Sequence, residues 1–416
     1  MSAAPVSSVL APFRVRSFRF QWTADLTTSW AFEMEALVLG WYILVETGSV
    51  EMLALFGALQ FMGTLVSPLF GVAGDRVGHR NLLCGMRTLY AVLAATLMAL
   101  AFAGLLTPVS VLVIVGLFGL VRPSDMAIRY ALVAENLTPA LLIGGMGILR
   151  TTVDTARIAG ALLGAGLFAA LGMGPVYVVI ALLYATGVLL TRQVANTRSA
   201  AAAGSVVPPS SWRDLREGLA YVWRTPQLLA TMGLAFLVNL TAFPLMNSLQ
   251  PYVAKEIYHT DQTGLGYMVA GTAFGALLGS IVVSRLGGRT RPGRVMLVAC
   301  AAWYALLLLY SHLTQPATGI PVLVLAGFVQ SLSQVTMATL LLRNAAPQFR
   351  GRVMGIRMLA IYGLPIGLLL SGPLIGRFGY PAMATLYCIV GLAFTLFIAL
   401  RWRVHLWRRE APANLR

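Results

Sequence analysis

The sequence carries very little charge for its length: only 11% of its 416 residues are Asp, Glu, Lys or Arg, against roughly 25% in an average soluble domain. With 58% hydrophobic residues and a mean hydropathy of +0.80, such a chain cannot cover itself in polar surface, which excludes a soluble globular protein. Lysine is nearly missing. Lys255 is the only one and Ala254 precedes it, so there is no Gly-Lys-Ser/Thr phosphate loop and ATP is not an internal energy source. Cys84, Cys300 and Cys388 stand alone in apolar stretches, excluding a disulfide framework and any Cys-x-x-Cys metal or redox pair. His79, His259, His312 and His405 are scattered, and neither a His-Glu-x-x-His nor a Gly-x-Ser-x-Gly motif occurs. No cofactor or metal is expected, and a membrane-embedded enzyme or receptor is a remote alternative.

What is present is apolar length. Twelve stretches, at about 21–46, 51–73, 82–106, 109–134, 142–171, 174–193, 226–254, 263–286, 293–313, 318–343, 351–376 and 379–402, are long enough as helices to cross a ~30 Å hydrocarbon core. Most connections are a few residues long and rich in Gly, Pro or Arg. The expected fold class is an all-α integral membrane protein of twelve transmembrane helices. The first 20 residues carry Arg14, Arg16 and Arg19 and no clean apolar core, so no cleavable signal peptide is expected and the first span should serve as the insertion signal.

Basic residues outnumber acidic ones, 30 to 14, for a net charge of +16. That excess alone would suggest nucleic acid, but its distribution does not. On the twelve-span reading the outer segments hold only Lys255 and Arg377, and the other 28 cations lie in cytoplasmic loops, in the termini or in spans beside them. Positive residues collect on the cytoplasmic side, so both termini are expected to be cytoplasmic. The lipid bilayer is the expected macroscopic partner, in a cell inner (plasma) membrane, with no role for nucleic acid.

One connection is long, at 194–225. It begins as a low-complexity linker and continues with Trp212, Leu215, Leu219 and Val222 at helical spacing with charges between them, the pattern of a helix lying in the cytoplasmic interface. It divides the chain into a first bundle over 1–193 and a second over 226–416. The halves resemble each other. Pro139 and Met146-Gly147-Ile148 recur as Pro347 and Met354-Gly355-Ile356, an offset of 208, and Gly71, Arg76, Gly78 and Arg80 recur as Gly279, Arg285, Gly287 and Arg289. Two six-helix repeats suit a secondary transporter, whose site lies near the midplane between them. One chain supplies both halves, so a functional monomer is expected.

The loop after the second span reads Gly71-Val-Ala-Gly-Asp75-Arg76-Val-Gly78-His-Arg80. It resembles the Gly-x-x-x-Asp-Arg-x-Gly-Arg-Arg signature of the major facilitator superfamily, and the resemblance extends over nearly the whole chain. The stretches 41–49, Arg122-Pro123 and 211–226 resemble the enterobactin-exporter-like, drug-efflux-like branch. The resemblance implies that Asp75 closes the cytoplasmic side against the start of the eleventh helix, around Gly351 and Arg352, with Arg129 as a further partner. Glycine at 71 and 78 permits close approach and a tight turn. In the second copy Ser284 replaces the acid, so only the first half carries the latch. The Gly-Pro-x-x-Gly motif associated with antiporters in helix 5 reads Gly160-Ala161-x-x-Gly164, while the intact form, Gly372-Pro373-x-x-Gly376, lies in the eleventh span.

Ionisable residues inside spans are costly and therefore functional candidates. The first span contributes Asp25, Glu33 and Glu35. Glu33 and Glu35 point about 200° apart, so both cannot face one cavity squarely, and at least one is expected on the pathway; either is favoured over Asp25, the alternative, as the proton-exchanging acid. Arg122, Asp125 and Arg129 share one face of the fourth span; Arg150, Asp154 and Arg157 share one face of the fifth. The deeper Arg122, Asp154 and Arg157 are candidates for substrate or coupling, with Asp125 a further substrate-cavity candidate, and Arg129 and Arg150 equally for ion-paired support. The second half has only Glu256, Asp261 and Glu410 as acids, so a coupling carboxylate has to come from the first. Its cavity candidates are neutral: Asn239, Asn247, Gln250, Gln330 and Gln334. The expected function is proton-coupled export of a small amphiphilic or anionic compound, siderophore-like or drug-like. A lipid or lysophospholipid flippase is the alternative.

Overall fold

The computed structural model of the chain describes residues 10–64, 66–196, 211–286, 291–346 and 349–403. Among these there is no strand. The helices are α1 (Arg16–Thr47), α2 (Val50–Leu59), α3 (Ser67–Val77), α4 (His79–Phe102), α5 (Pro108–Asn136), α6 (Pro139–Leu171), α7 (Met173–Arg192), α8 (Ser211–Arg224), α9 (Pro226–Thr241), α10 (Phe243–Met246), α11 (Gln250–Tyr252), α12 (Gln262–Leu286), α13 (Pro292–Ser311), α14 (Pro316–Asn344), α15 (Arg350–Leu359), α16 (Gly363–Phe378) and α17 (Tyr380–Arg401). Proline in the first turn opens α5, α6, α9, α13 and α14, where its missing N–H removes no helical bond.

Among the described residues nine helices are long and apolar enough to cross a membrane, with α15 and α16 counted as one from Arg352 to Phe378. The other three expected spans are interrupted or polar. The first, α1, runs for 32 residues but carries Asp25, Glu33 and Glu35. The second is broken between α2 and α3 around a short 3-10 turn at Met62–Thr64, and the seventh breaks after Thr241, followed by Pro244 and Pro251 and a π-helical turn at Val253–Ile257. The internal repeat is visible in element lengths: α5 and α14 each have 29 residues and begin and end 208 positions apart.

The chain forms two compact units, one from the residues up to Thr47 with Leu59–Val207, the other from Gly48–Ala58 with Pro208–Arg416. In the first, α1 packs against α6 and α7, and α4 against α7 and α5. Two glycine contacts set these approaches. A Cβ on Gly164 would lie 2.9 Å from Met34 Cα, and one on Gly160 would lie 2.7 Å from Glu33 Cβ, so the Gly160-Ala161-x-x-Gly164 run is the crossing of α6 over α1. A Cβ on Gly119 would lie 1.9 Å from the Leu59 carbonyl oxygen, so α5 meets the interrupted second span backbone to backbone. In the second unit α14 packs against α12 and α13, and α16 against α9.

Helix α8 docks in the second unit. Val222, expected on a membrane-facing stripe, instead enters a core with Leu228, Met232, Leu341, Val353 and Ile356. Leu219 stays exposed. The side chains of Trp212 and Leu215 and the linker 197–210 lie outside the described residues, as do Gly287, Arg289 and Pro347 of the second repeat copy.

Candidate transport site

The polar residues of the first unit fall into three groups along α1. Nearest the start, Asp25 is buried against Arg87 of α4, whose guanidinium also donates to Thr191 of α7. Arg129 of α5 lies with its Nε 3.6 Å from Asp25 Oδ1 and pairs with Asp125 one turn before it. Arg129 Nη1 donates to Ser29 Oγ at 2.8 Å, and its carbonyl accepts from Gln21 Nε2 at 2.9 Å. Two aspartates and two arginines thus compensate one another in a place where an unpaired charge would be very costly. They tie α1, α4, α5 and α7 together.

Sequence reasoning grouped Arg87 with the topology-setting arginines; it is 0% exposed. Two turns of apolar helix separate it from Arg80, and that depth within the span is the signal that marks it. Arg129, for which the family signature suggested a gate contact, has Asp125 and Asp25 as its ion-pair partners.

The second group surrounds Glu35. Glu35 is 5% exposed; its carboxylate accepts from the Tyr184 hydroxyl at 2.8 Å through Oε2, while Oε1 has no hydrogen-bond partner among the described residues. Phe32, Tyr90, Phe118 and Tyr184 form an aromatic cluster beside it, with ring centroids 5.1 to 6.1 Å apart. The Arg122 guanidinium carbon stands 4.6 Å from the Phe32 centroid, within cation–π range. Arg122 Nη1 donates to Gln60 Oε1 at 3.0 Å. Pro123 follows Arg122 inside α5, removing one backbone donor there.

The third group is more open. Glu33 lies 3.8 Å from Arg157, and Asp154 lies 3.3 Å from Arg150 on the same helix. Glu33 and Glu35 therefore diverge as helical geometry requires, one toward α6 and the other toward α7. The structure brings Glu35 near Arg122 through Phe32, Asp25 near Asp125 through Arg129, and Glu33 near Arg157.

The second unit offers amides. Gln330 is buried with Oε1 unpartnered among the described residues, and it occupies in α14 the register of Arg122 in α5, 208 positions earlier. Gln334 accepts from Arg357 Nη2 at 3.3 Å, a neighbour that sequence reading placed only among cytoplasmic cations. Gln250 Nε2 donates to Thr272 at 3.2 Å. Asn239 donates to its own helix at Ala235, and Asn247 closes the short α10.

At the loop signature, Gly78 has φ +92°, so glycine is required for the turn between α3 and α4. Around Gly71, among the described residues, a Cβ would meet nothing within 4 Å. Arg76 is exposed. Arg80 donates to the Val194 carbonyl at 3.3 Å, and His79 Nδ1 lies 2.7 Å from Glu135 Oε1, a pair the sequence did not suggest. The side chain of Asp75 and the surroundings of Gly351 lie outside the described residues. Arg352 donates to Glu217 of α8 at 2.9 Å.

The sequence profile of the Major Facilitator Superfamily matches residues 24–366. The chain belongs to that superfamily. No curated protein matches it as a relative. Among solved structures, the nucleoside transporter NupG is similar with a TM-score of 0.73 at 13% identity, covering 95% of this chain and 100% of its own. A bacterial homologue of the human lysosomal transporter Spinster is similar at a TM-score of 0.69 and 14% identity, covering 97% and 99%. The human organic anion transporter MFSD10 follows at 0.62 and 16%, covering 93% and 99%. At such identities the likeness establishes the shared fold. Membership makes this superfamily protein a multi-pass membrane transporter rather than an enzyme.

Proposed function

We propose that this superfamily member is a proton-coupled exporter of a small amphiphilic or anionic compound, siderophore-like or drug-like, in the enterobactin-exporter-like, drug-efflux-like branch. It acts as a monomer by alternating access in the inner membrane, with both termini cytoplasmic. The observation that carries this reading is the environment of Glu35. Asp25, Asp125, Asp154 and Glu33 each lie within ion-pair reach of an arginine, whereas Glu35 has a neutral tyrosine donor and one oxygen without a partner among the described residues. It can take up and release a proton without breaking an ion pair. Arg122, held beside it on Phe32, offers a cation to an anionic or aromatic substrate, and Asn239, Asn247, Gln330 and Gln334 offer neutral contacts. Gly71, Asp75, Arg76, Gly78 and Arg80 with Gly351 and Arg352 form the cytoplasmic gate.

Proteoliposomes with an imposed pH gradient test this reading against catecholate siderophores and fluorescent amphiphilic dyes. Expected is gradient-driven accumulation of at least one compound, lost in Glu35→Gln. Flux that ignores the gradient would sink the coupling. A lipid or lysophospholipid flippase is the second reading, favoured by the half-exposed Arg157 and the exposed Arg150 on α6, which suit a headgroup phosphate. Fluorescent lysophospholipid translocated in place of the soluble compounds would select it.

A further inference from the structure

Helix α8 has two faces of different chemistry. Glu217, Gly218, Tyr221 and Val222 face the second unit. Arg352 Nη1 donates to Glu217 at 2.9 Å, Tyr221 stacks on Phe349 with centroids 4.3 Å and planes 7° apart, and the Ala346 N–H donates to the Tyr221 hydroxyl at 3.1 Å. A Cβ on Gly218 would lie 3.0 Å from Ile356, so the helix backbone sits close against α15. At about 100° per residue these four positions occupy an arc of roughly 140°. The opposite arc carries Arg216, Leu219, Ala220, Trp223 and Arg224, all exposed, with Trp223 at 71% and Leu219 at 49%.

Two further facts fix what this arc meets. Only Thr225 separates Arg224 from Pro226, the first residue of the apolar helix α9, so Trp223 stands within one turn of a membrane segment, at the level where tryptophan anchors. Among the described residues the arc contains two cations and no acid. A second copy of the same arc would set arginine against arginine, whereas an anionic lipid layer complements both the cations and the apolar side chains.

We propose that α8 is a docking surface for anionic phospholipid headgroups, with Trp223 and Leu219 entering the headgroup boundary and Arg216 and Arg224 holding the phosphates. Because the inner face grips Arg352 and Phe349, headgroup contact at α8 bears directly on α15, where the eleventh span begins. The docking surface is independent of what the protein transports.

The test uses the purified full chain with Ala220→Cys in a Cys84→Ser background, since Cys300 and Cys388 are buried. A nitroxide at position 220 reports collision with oxygen, which concentrates in the bilayer, and with a water-soluble nickel chelate. In vesicles of phosphatidylcholine mixed with equal phosphatidylglycerol, the oxygen-to-nickel collision ratio should at least double over phosphatidylcholine alone. Raising salt should return it to the phosphatidylcholine value, a readout that needs no arginine variant. Adding Arg216→Gln and Arg224→Gln should do the same. A ratio that is equal in both vesicle types would overturn the proposal, and so would a salt-insensitive one. A spin–spin interaction between labelled chains would replace the lipid with a second copy.

Discussion

Tyr184 on α7 donates its hydroxyl proton to Glu35 on α1 across 2.8 Å. A neutral phenol orients a carboxylate without compensating its charge. Ten residues earlier on the same helix, Asp25 sits among two arginines, a threonine and a second aspartate. One acid of α1 is therefore fixed in a balanced network and the other is held by a single hydrogen bond, with its second oxygen buried and without a partner among the described residues. Under the proposed proton coupling, that division would separate support from exchange on one element.

Glu35→Gln keeps an oxygen that can accept from Tyr184, so the unfolding free energy of the purified chain should change by less than about 1 kcal/mol. Gradient-driven flux in proteoliposomes should nevertheless fall at least tenfold. Glu33→Gln, which alters only the more open pair with Arg157, should keep most of it. Retained flux in Glu35→Gln would place the exchanging proton elsewhere.

Tyr184→Phe has the reverse profile. It leaves both oxygens of a buried carboxyl without a described donor, at an expected cost of about 1–3 kcal/mol. Equilibrium unfolding in detergent measures it. A variant as stable as the parent would mean that water already supplies the donor.

Much of this was legible in the sequence. The all-α membrane fold followed from the spans, the repeat from the 208-residue offset, and the candidate acids from their position inside an apolar helix. The divergence of Glu33 and Glu35 followed from helical geometry. Partnership was less accessible. That Arg87 meets Asp25 depends on how α4 and α7 turn toward α1, which a run of apolar residues does not specify. Val222 turned inward for a similar reason: α8 is apolar over a wide arc, and tertiary packing against Val353 and Ile356 chose the part it covers. The interruption after Thr241 was written locally, in Pro244, beneath an otherwise continuous hydropathy signal, whereas the one in the second span goes with the backbone contacts of Gly63 and Gly119 across to α5 and the second span, which hydropathy does not carry.

The buried Asp25–Arg87 pair should behave as a unit. Arg87→Ala leaves the buried Asp25 and Asp125 to share Arg129 alone and should destabilise the chain by about 3–5 kcal/mol, and Asp25→Ala, which leaves an arginine in excess, should do likewise. The double variant should cost clearly less than the two single losses combined, because neither charge is then left alone. Additive losses in equilibrium unfolding would show that the two residues are not energetically coupled.

Neighbouring glycines on α6 make an internal comparison. A methyl at Gly164 would press on Met34 Cα at 2.9 Å, while one at Gly166 meets nothing within 4 Å. Gly164→Ala should therefore lose about 1–3 kcal/mol through overpacking at the α1 crossing. Gly166→Ala should be neutral or gain up to about 1 kcal/mol from helix propensity. Unfolding of the two variants side by side reads the sign; equal effects would remove the crossing from its place in setting α1.

Arg122 and Gln330 occupy matching registers of α5 and α14, one cationic and one neutral. Arg122→Gln makes the two alike and keeps a donor for Gln60. Arg122 is only partly buried and its described contacts are the Gln60 hydrogen bond and the Phe32 ring, so stability should hardly move. If Arg122 binds the anionic part of the substrate, the Michaelis constant for an anionic compound should rise by tenfold or more, since a charge-assisted contact is worth about 1.5–3 kcal/mol. The constant for a neutral dye should stay within twofold. Equal weakening for both substrates would assign Arg122 to the aromatic cluster around Phe32 rather than to the cargo.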